Sequence, residues 1–327
     1  MAYDVRTVLQ RRRKIERYLD DLPVLPTLAS RLLVLSPDDC AYLDDVHKLA
    51  VCDPTFAVRI VEYANRVSHY HAEGRAILNL RHALAWLGVK EISGLIMGIA
   101  MTEDFPSTDE ATRQLWQHSV EVAVISRTLA RLSPDQSLEP EHLYLSGLLH
   151  DIGRFVMNRA LPDQSARVDE RGWSTPTGLI FAEMDVSAIT HAEVGAQACA
   201  QWRLPDHIVS VVRHHHNYNL DLANLPDAWV HKNIRLVQIA DYFSMWLMRR
   251  EDAEAPVNRL SDRTDPDLDN LRELLPTLGD VIPLQQVAAM YDHVLNNRRA
   301  IANETAAILA GLGIEAEPAI APRAAFG

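Results

Sequence analysis

Apolar residues recur at helical spacing along almost every long segment of this 327-residue chain, and no sustained alternation of period two is bounded by hairpin turns. The pattern predicts an all-α fold in the form of a multi-helix bundle. The longest apolar run, residues 92–101, is about half as long as the ~20 residues that a membrane-spanning helix needs. We therefore expect no membrane span. Because no apolar stretch of the signal-peptide kind follows the basic N-terminal residues, we expect a cytoplasmic protein.

Two breaks in composition divide the chain. Residues 102–112 read TEDFPSTDEAT, and residues 251–270 are acidic and contain proline. The last helical pattern runs without interruption from Pro283 to Gly313. We predict a basic N-terminal helix over 1–20, a helical subdomain over 21–105, a second helical subdomain over 113–250, C-terminal helices over 266–313 and a flexible tail over 314–327.

Charge and cysteine content narrow the class of function. The chain carries 32 Lys and Arg against 44 Asp and Glu, a net charge of −12, which argues against a broad nucleic-acid contact. We interpret the basic run at residues 11–14 as a solvated helix face. The three cysteines, Cys40, Cys52 and Cys199, have no CxxC spacing and predict neither a disulfide framework nor a thiolate zinc site. Candidate chemistry therefore rests on histidines and carboxylates.

Ionisable residues interrupt the apolar stripes of the second subdomain, which holds nine of the fourteen histidines. Helical spacing places histidines on core-facing stripes in three helices and a carboxylate on such a stripe in a fourth. A histidine and an aspartate also stand side by side in the apolar stretch GLLHDIGRF, residues 147–155. The six residues concerned are His118, His150, Asp151, His191, His215 and Asp241.

One buried histidine is usually a hydrogen-bonded core residue, but four imidazoles and two carboxylates in one region predict a shared site. Such a donor set suits one or two divalent ions, with iron, manganese, zinc and magnesium as the candidates. The same residues leave one alternative open. They could form a hydrogen-bonded histidine and aspartate network that holds no metal and serves core specificity.

In their order along the chain these residues resemble the HD-domain metal-dependent phosphohydrolases, whose pattern reads H, HD, H, HH and D. The local strings are also similar: GLLHDIGR resembles the HDIGK motif of that superfamily, and HAEVGAQACAQWRLPDHIVSVVRHHH resembles its run from the third element to the HH pair. The positions that match the pattern are His118, then His150 and Asp151, then His191, then His215 and His216, and last Asp241.

The first part of the chain sharpens this likeness, because it resembles the HDOD subfamily. That subfamily opens with LPxLP, has DP before a helix that ends in AN, and carries an AhxxLG signature. The residues that supply these motifs are Leu22, Pro23, Leu25 and Pro26, then Asp53 and Pro54, then Ala64 and Asn65, and finally Leu87 and Gly88. The resemblance covers about residues 20–245 and implies an all-helical protein of bacterial signal transduction.

What the resemblance implies for the site is a pair of ions held by the six matching residues, with Asp151 as the bridge between them. Arg154 stands where HDIGK has lysine, so it, or Arg213, is expected to contact a phosphoryl group. His216 is expected to hydrogen-bond the nucleophile or the leaving group. Gln114 stands where some related enzymes have a glutamate for a third ion, so at most two ions are expected.

Two classes of function stay open at this point. The first is a metal-dependent phosphohydrolase or phosphodiesterase, which would lower the pKa of water and polarise a phosphoryl oxygen. The cyclic di-GMP phosphodiesterases of the HD-GYP type carry DGxGYP after the HH pair, whereas NYNLDLANLP follows it here. Hydrolysis of cyclic di-GMP therefore loses its best support in the sequence. The second is a regulatory scaffold that binds a signalling partner protein or a phosphorylated or nucleotide ligand, with a structural or vestigial metal site.

Overall fold

The computed structural model describes most of the chain as α-helix, and within the described residues there is no β-strand, which confirms the predicted all-α class. No described helix combines the length and the apolar character needed to cross a bilayer. The predicted break at 251–270 and the motif residues Pro23, Leu25, Pro26 and Asp53 lie outside the described residues. The described ranges are 5–22, 42–52, 54–68, 77, 79–173, 176–218, 227–246, 248 and 281–315.

Among the described residues, five helices precede the region of the candidate site. They are α1 (Val5–Asp20), α2 (Tyr42–Val51), α3 (Pro54–Ser68), α4 (Leu80–Leu87) and α5 (Val89–Asp104). In α1 the side chains of Arg12, Arg13 and Lys14 are exposed, while Ile15 and Leu19 are buried. This helix packs on α8 and α11, which are defined below.

In the parts of the chain that the structure describes, eight helices form the region of the candidate site, and two more follow it. The eight are α6 (Glu110–Leu132), α7 (Pro140–Leu149), α8 (Ile152–Ala160), α9 (Pro162–Arg171), α10 (Pro176–Ser187), α11 (His191–Gln201), α12 (Asp206–His214) and α13 (Ala228–Trp246). The last two are α14 (Leu284–Asn296) and α15 (Arg298–Gly311).

The C-terminal helical pattern is divided where the sequence predicts one continuous helix over 283–313. Asn297 separates α14 from α15, with φ −107° and ψ 14°. Its side-chain Nδ2 donates to the carbonyl oxygen of His293 at 2.8 Å. Asparagine competes in this way with the regular helical ladder, so the apolar periodicity continues across a break in the backbone.

Helix α6 is the axis of the bundle. It is 23 residues long, and its N-terminus is capped by Asp109, whose side chain accepts a hydrogen bond from the backbone N–H of Thr112 at 2.8 Å. Most of its side chains from Leu115 to Ala130 are buried, and it packs against α7, α13, α14 and α15. A helix that is apolar around most of its surface must be surrounded by others. Polar side chains on α6 are therefore held in the interior.

A close approach of two helices fixes the region around the HD motif. Helices α8 and α11 cross where Gly153 faces Gly195, and a Cβ atom on Gly153 would lie 1.9 Å from the carbonyl oxygen of His191. Only glycine lets the two backbones meet so closely. The glycine two residues after Asp151 thus brings the start of α11, with His191, next to the end of α7.

The described residues of the HDOD motifs are buried or join separate segments by hydrogen bonds. Asn65 donates from Nδ2 to the carbonyl oxygen of Ile77 at 2.8 Å and accepts from the N–H of Ile77 at 2.7 Å. Leu87 and Ala64 are buried. Arg66, the residue after Asn65, donates to the carbonyl oxygen of Ala310 in α15. This arginine therefore ties α3 to the C-terminal helix.

A buried arginine joins four helices on the other side of α6. Arg127 is 4% exposed, and its guanidinium bonds to Glu304 and lies 3.8 Å from Glu141 and 3.9 Å from Glu91. It also lies 4.9 Å from the ring centroid of Tyr144. We call Arg127 with Glu91, Glu141 and Glu304 the arginine cluster. Its cation and its carboxylates all come from the chain itself.

Candidate metal centre

The structure brings all six predicted ligands, and His216, to one place. His118 lies in the middle of α6, His150 and Asp151 at the junction of α7 and α8, His191 at the first residue of α11, and Asp241 in α13. His215 and His216 follow the last residue of α12. Their nitrogen and oxygen atoms fall into two groups, and within each group they lie within 4.8 Å of one another. Group one is Asp151, His191, His215 and His216, and group two is His118, His150 and Asp241.

Within group one the imidazole nitrogens approach one another closely. His191 Nε2 lies 3.1 Å from His215 Nε2 and 3.0 Å from His216 Nε2. Bonds of about 2.0–2.1 Å from one ion to two imidazoles at right angles would place the two nitrogens about 3 Å apart. In group two, His118 Nε2 lies 3.2 Å from Asp241 Oδ1. The rings of His118 and His150 are 5.1 Å apart.

Asp151 lies between the two groups and turns one oxygen toward each. Its Oδ1 is 3.1 Å from His191 Nε2 and 3.7 Å from His215 Nε2. Its Oδ2 is 3.8 Å from His118 Nε2 and 3.7 Å from His150 Nε2. A carboxylate placed in this way has the geometry of a bridge between two positively charged centres.

Outer hydrogen bonds orient the four predicted ligand imidazoles alike. His150 Nδ1 is 2.7 Å from the carbonyl oxygen of Gly147, and His215 Nδ1 is 2.7 Å from that of Val212. His191 Nδ1 is 2.8 Å from both carboxylate oxygens of Glu183. Each partner only accepts, so each Nδ1 carries a proton, and Nε2 is the nitrogen that faces the centre as the candidate ligand atom.

Two hydrogen bonds in series orient His118 in the same way. Its Nδ1 is 3.1 Å from Ser244 Oγ, and that hydroxyl donates to Glu121 Oε1 at 2.6 Å. Because the hydroxyl proton is directed to Glu121, Ser244 accepts from His118 Nδ1. The Nε2 lone pair of His118 therefore also points to the centre.

His216 differs from the other four histidines. Its Nδ1 lies 3.2 Å from the hydroxyl of Tyr218, which can donate. With Nδ1 as the acceptor, Nε2 carries the proton and can donate toward the cluster. The structure thus places His216 in group one while its partner favours the tautomer of a hydrogen-bond donor.

The pKa values of the cluster suit a bound cation. Burial lowers the pKa of His150 to about 4, so this imidazole is neutral at pH 7. Burial raises the pKa of Asp151, but the opposing effect of His150 and His191 is larger, so this pKa lies well below its usual range. Burial lowers the pKa of His191, whereas Glu183 and Asp151 raise it to about 10, so without an ion this imidazole is protonated at pH 7, and an ion bound at Nε2 would replace that proton.

Two atoms test whether the cluster is complete without an ion. His150 Nε2 and Asp151 Oδ1 are buried, and neither has a hydrogen-bond partner of suitable geometry among the described residues. Unpaired buried polar atoms are costly, and neutral imidazole with carboxylate is a donor set that binds divalent transition ions. The residues present therefore fit a metal site better than a metal-free network.

A cavity of about 330 Å³ opens onto the cluster. Its wall includes Trp173, which follows α9, and Pro176 and Leu179 of α10, together with Leu115 and Met245. Gln114 also lines it and donates to Glu110 Oε1 at 2.8 Å. The residues of the donor set that line the cavity are His118, Asp151, His216 and Asp241.

Arg154 is the only lysine or arginine among the described residues that line this cavity. Its Nη1 lies 3.5 Å from Asp151 Oδ2, and its guanidinium carbon lies 5.1 Å from the ring centroid of Trp173. Arg213, the other predicted phosphate contact, is exposed and does not line the cavity. The geometry therefore favours Arg154 over Arg213 as the residue that meets a ligand.

Four orienting residues were missed by the sequence analysis. Glu121 and Ser244 each lie three residues after a predicted ligand on the same helix, so the search for polar residues on inward stripes could have found them. Tyr218 lies two residues after His216. Glu183 lies in a different helix from His191, and no spacing rule connects the two.

The chain is similar to a known domain family and to proteins of known sequence and structure. The family model of the HDOD domain matches residues 22–218, which leaves Asp241 beyond the matched range. An uncharacterised protein of Treponema pallidum (strain Nichols) is 26% identical over 201 residues, which cover 61% of this chain and 38% of that protein. The match thus spans less than half the length of this relative.

Two solved structures show the same fold over nearly the whole chain. An HDOD domain protein of unknown function from Geobacter sulfurreducens is 25% identical, with a TM-score of 0.63, over 92% of this chain and 99% of the other. A candidate phosphohydrolase from Shewanella amazonensis SB2B is 17% identical, with a TM-score of 0.63, over 89% and 97% of the two chains. At 17% identity the second likeness concerns the fold alone.

Proposed function

The chain belongs to the HDOD domain family, and on that premise we propose that it binds two divalent metal ions and hydrolyses a phosphate ester in the adjoining cavity. The observation that carries the proposal is the position of Asp151, whose two carboxylate oxygens face different donor groups. In a metal-free network the buried Oδ1 would also lack a hydrogen-bond donor of suitable geometry among the described residues.

The two ions would be held by different residues. Asp151, His191 and His215 would hold one, and His118, His150 and Asp241 the other, with Asp151 shared between them. When bound, divalent ions polarise a phosphoryl oxygen and lower the pKa of water, so that hydroxide becomes available at neutral pH. Iron, manganese, zinc and magnesium are all compatible with nitrogen and oxygen donors of this kind.

Arg154 would bind the phosphoryl group. Its guanidinium presents several donors in a fixed plane, which suits two phosphate oxygens at once. The ring of Trp173 and the carboxylate of Asp151 hold this plane at the cavity wall. Asp169 lies 3.8 Å from the other end of the guanidinium and further restricts its movement.

His216 would donate a hydrogen bond rather than act as a further ligand. Its Nε2 would carry the proton when the Tyr218 hydroxyl donates to Nδ1, and its side chain lines the cavity. A neutral imidazole that donates from Nε2 can stabilise negative charge on the leaving oxygen of a phosphate ester. This role agrees with the one that the resemblance implied.

We place this activity in cytoplasmic signal transduction, with a phosphorylated or nucleotide ligand as the substrate. The test uses the full chain reconstituted with Mn²⁺, Zn²⁺, Fe²⁺ or Mg²⁺ and assayed with p-nitrophenyl phosphate, bis-p-nitrophenyl phosphate and cyclic dinucleotides. Turnover that is lost in Asp151→Asn and retained in Arg213→Met supports the proposal. Metal-loaded protein without turnover on any of these substrates would contradict hydrolysis and favour the regulatory scaffold, which binds a partner protein or a nucleotide.

A further inference from the structure

A second pair of histidines lies outside the metal centre, on two of the helices that build it. His142 in α7 and His207 in α12 have ring centroids 5.3 Å apart, with an interplanar angle of 45°. We call these two residues the outer histidine pair. Each lies eight residues before a residue of the metal centre, His150 on one side and His215 on the other.

The outer pair repeats the spacing of the inner one. The rings of His150 and His215 are 5.2 Å apart, close to the 5.3 Å between His142 and His207. Eight residues of α-helix correspond to about 12 Å. The helices α7 and α12 therefore bring histidines together twice, once near their N-terminal ends and once where they end.

Each ring of the outer pair has a nitrogen that lacks a partner. Nδ1 of His142 and Nε2 of His207 are buried, and neither is hydrogen-bonded to any residue in the described parts of the chain. Burial lowers the pKa of His142, and burial together with His142 lowers the pKa of His207 to about 4. Both imidazoles are thus neutral at pH 7, with lone pairs available to an ion.

The surroundings favour a cation over a third hydrogen-bonding group. Glu139 raises the pKa of His142 and Asp206 raises that of His207, so a carboxylate acts electrostatically on each ring. Trp229, the third ring of the cluster, lies 5.1 Å from His207 and 6.3 Å from His142. Its Nε1 donates to the carbonyl oxygen of Ser137 at 2.7 Å, so it offers no hydrogen bond to either imidazole.

We propose that the outer histidine pair is a second metal site, separate from the metal centre, for one divalent ion of the zinc, nickel or copper kind. Nδ1 of His142 and Nε2 of His207 are its protein ligands, and water completes the coordination. Imidazole is the preferred donor of these ions, whereas magnesium and calcium prefer oxygen. An ion bound here ties the starts of α7 and α12 together, two turns from the residues that these helices present to the metal centre.

Trp229 provides a local readout for this site. Bound Cu²⁺ quenches the fluorescence of an indole a few ångströms away, so the full chain is titrated with Cu²⁺ while tryptophan emission is recorded. The difference between the wild-type protein and Trp229→Phe isolates the signal of this one ring. Asp151→Asn is the control that disables the metal centre and leaves the outer pair intact.

We expect a quenching phase that depends on Trp229, saturates with one ion and persists in Asp151→Asn. In His142→Gln and in His207→Gln the apparent affinity of this phase falls at least about tenfold, because one of two imidazole ligands is lost. Circular dichroism verifies that each variant is helical, and if one of them fails to fold, the other tests the site alone. Unchanged Cu²⁺ affinity in a folded glutamine variant, or no saturable Trp229-dependent quenching in the wild-type protein, would overturn the proposal.

Discussion

Two clusters of charged side chains share helix α6, and they are built in opposite ways. In the arginine cluster, Arg127 meets three carboxylates from surrounding helices, and no buried side-chain atom of the four residues lacks a partner among those described. In the metal centre, His150 Nε2 and Asp151 Oδ1 have no such partner. The arginine cluster is held by ion pairs within the chain, whereas the metal centre leaves buried donor atoms available to an ion.

This difference separates a structural role from a binding role. Arg127 pairs with carboxylates of the chain and does not line the cavity, so its loss should affect stability alone. The metal centre has lone pairs and carboxylate oxygens directed at common points, so its residues should affect ligand binding more than folding. Four substitutions test whether the two clusters can be separated in this way.

The largest effect is expected for Asp151→Asn. An amide in place of the shared carboxylate removes the negative charge and one of the two oxygens, each of which faces a different donor group. We expect the affinity for Mn²⁺ to fall at least about 1,000-fold, more than the loss of an orienting residue causes. Metal content after dialysis measures this. Full metal content in the variant would mean that Asp151 bridges nothing.

The next largest effect is expected for Arg127→Met, and it should appear in stability only. Methionine fills part of the volume but leaves three carboxylates without the buried cation that they surround. Because Glu91 and Glu304 are partly exposed, we expect a loss of about 2–3 kcal/mol in the free energy of unfolding, below the range for fully buried pairs. Urea denaturation gives this value, and metal content should equal that of the wild type. A parallel loss of metal would show that the two clusters are not independent.

Glu183→Gln should weaken metal binding without removing it. The carboxylate accepts from both the Nδ1 and the backbone N–H of His191, so it fixes the ring and makes Nε2 more basic. Loss of such an outer partner lowers metal affinity about 10- to 100-fold. Glu193→Gln, the same change at an exposed position in α11, is the matched control. Equal affinities in the two variants would exclude an orienting role for Glu183.

Arg154→Met should have the smallest effect of the four and should spare the metal. Its guanidinium lines the cavity beside Asp151, so we expect inorganic phosphate to bind the metal-loaded protein about tenfold more weakly. Isothermal titration with phosphate measures this, and the exposed Arg213→Met serves as the control. If Arg213→Met weakened phosphate binding and Arg154→Met did not, the ligand would approach by another route.

The sequence predicted the parts of the site that follow from local periodicity. Helical spacing placed His118, His191, His215 and Asp241 on core-facing stripes, and all four lie in the cluster. Periodicity carries no information on which stripes face one another, so the contact between Glu183 and His191 was not foreseen. The arginine cluster was missed for the same reason, since Arg127 and Glu304 are 177 residues apart. The helix break at Asn297 was hidden because the apolar pattern continues across it.

The most direct test of the account is a crystal structure of the full chain reconstituted with Mn²⁺, with anomalous scattering recorded to locate the ions. The account predicts two ions, one on each side of the Asp151 carboxylate, with donor atoms of the two groups about 2.0–2.6 Å from the ion that each group holds. A structure at saturating Mn²⁺ with no ion at Asp151, and with His191, His215 and His216 still in contact with one another, would contradict it.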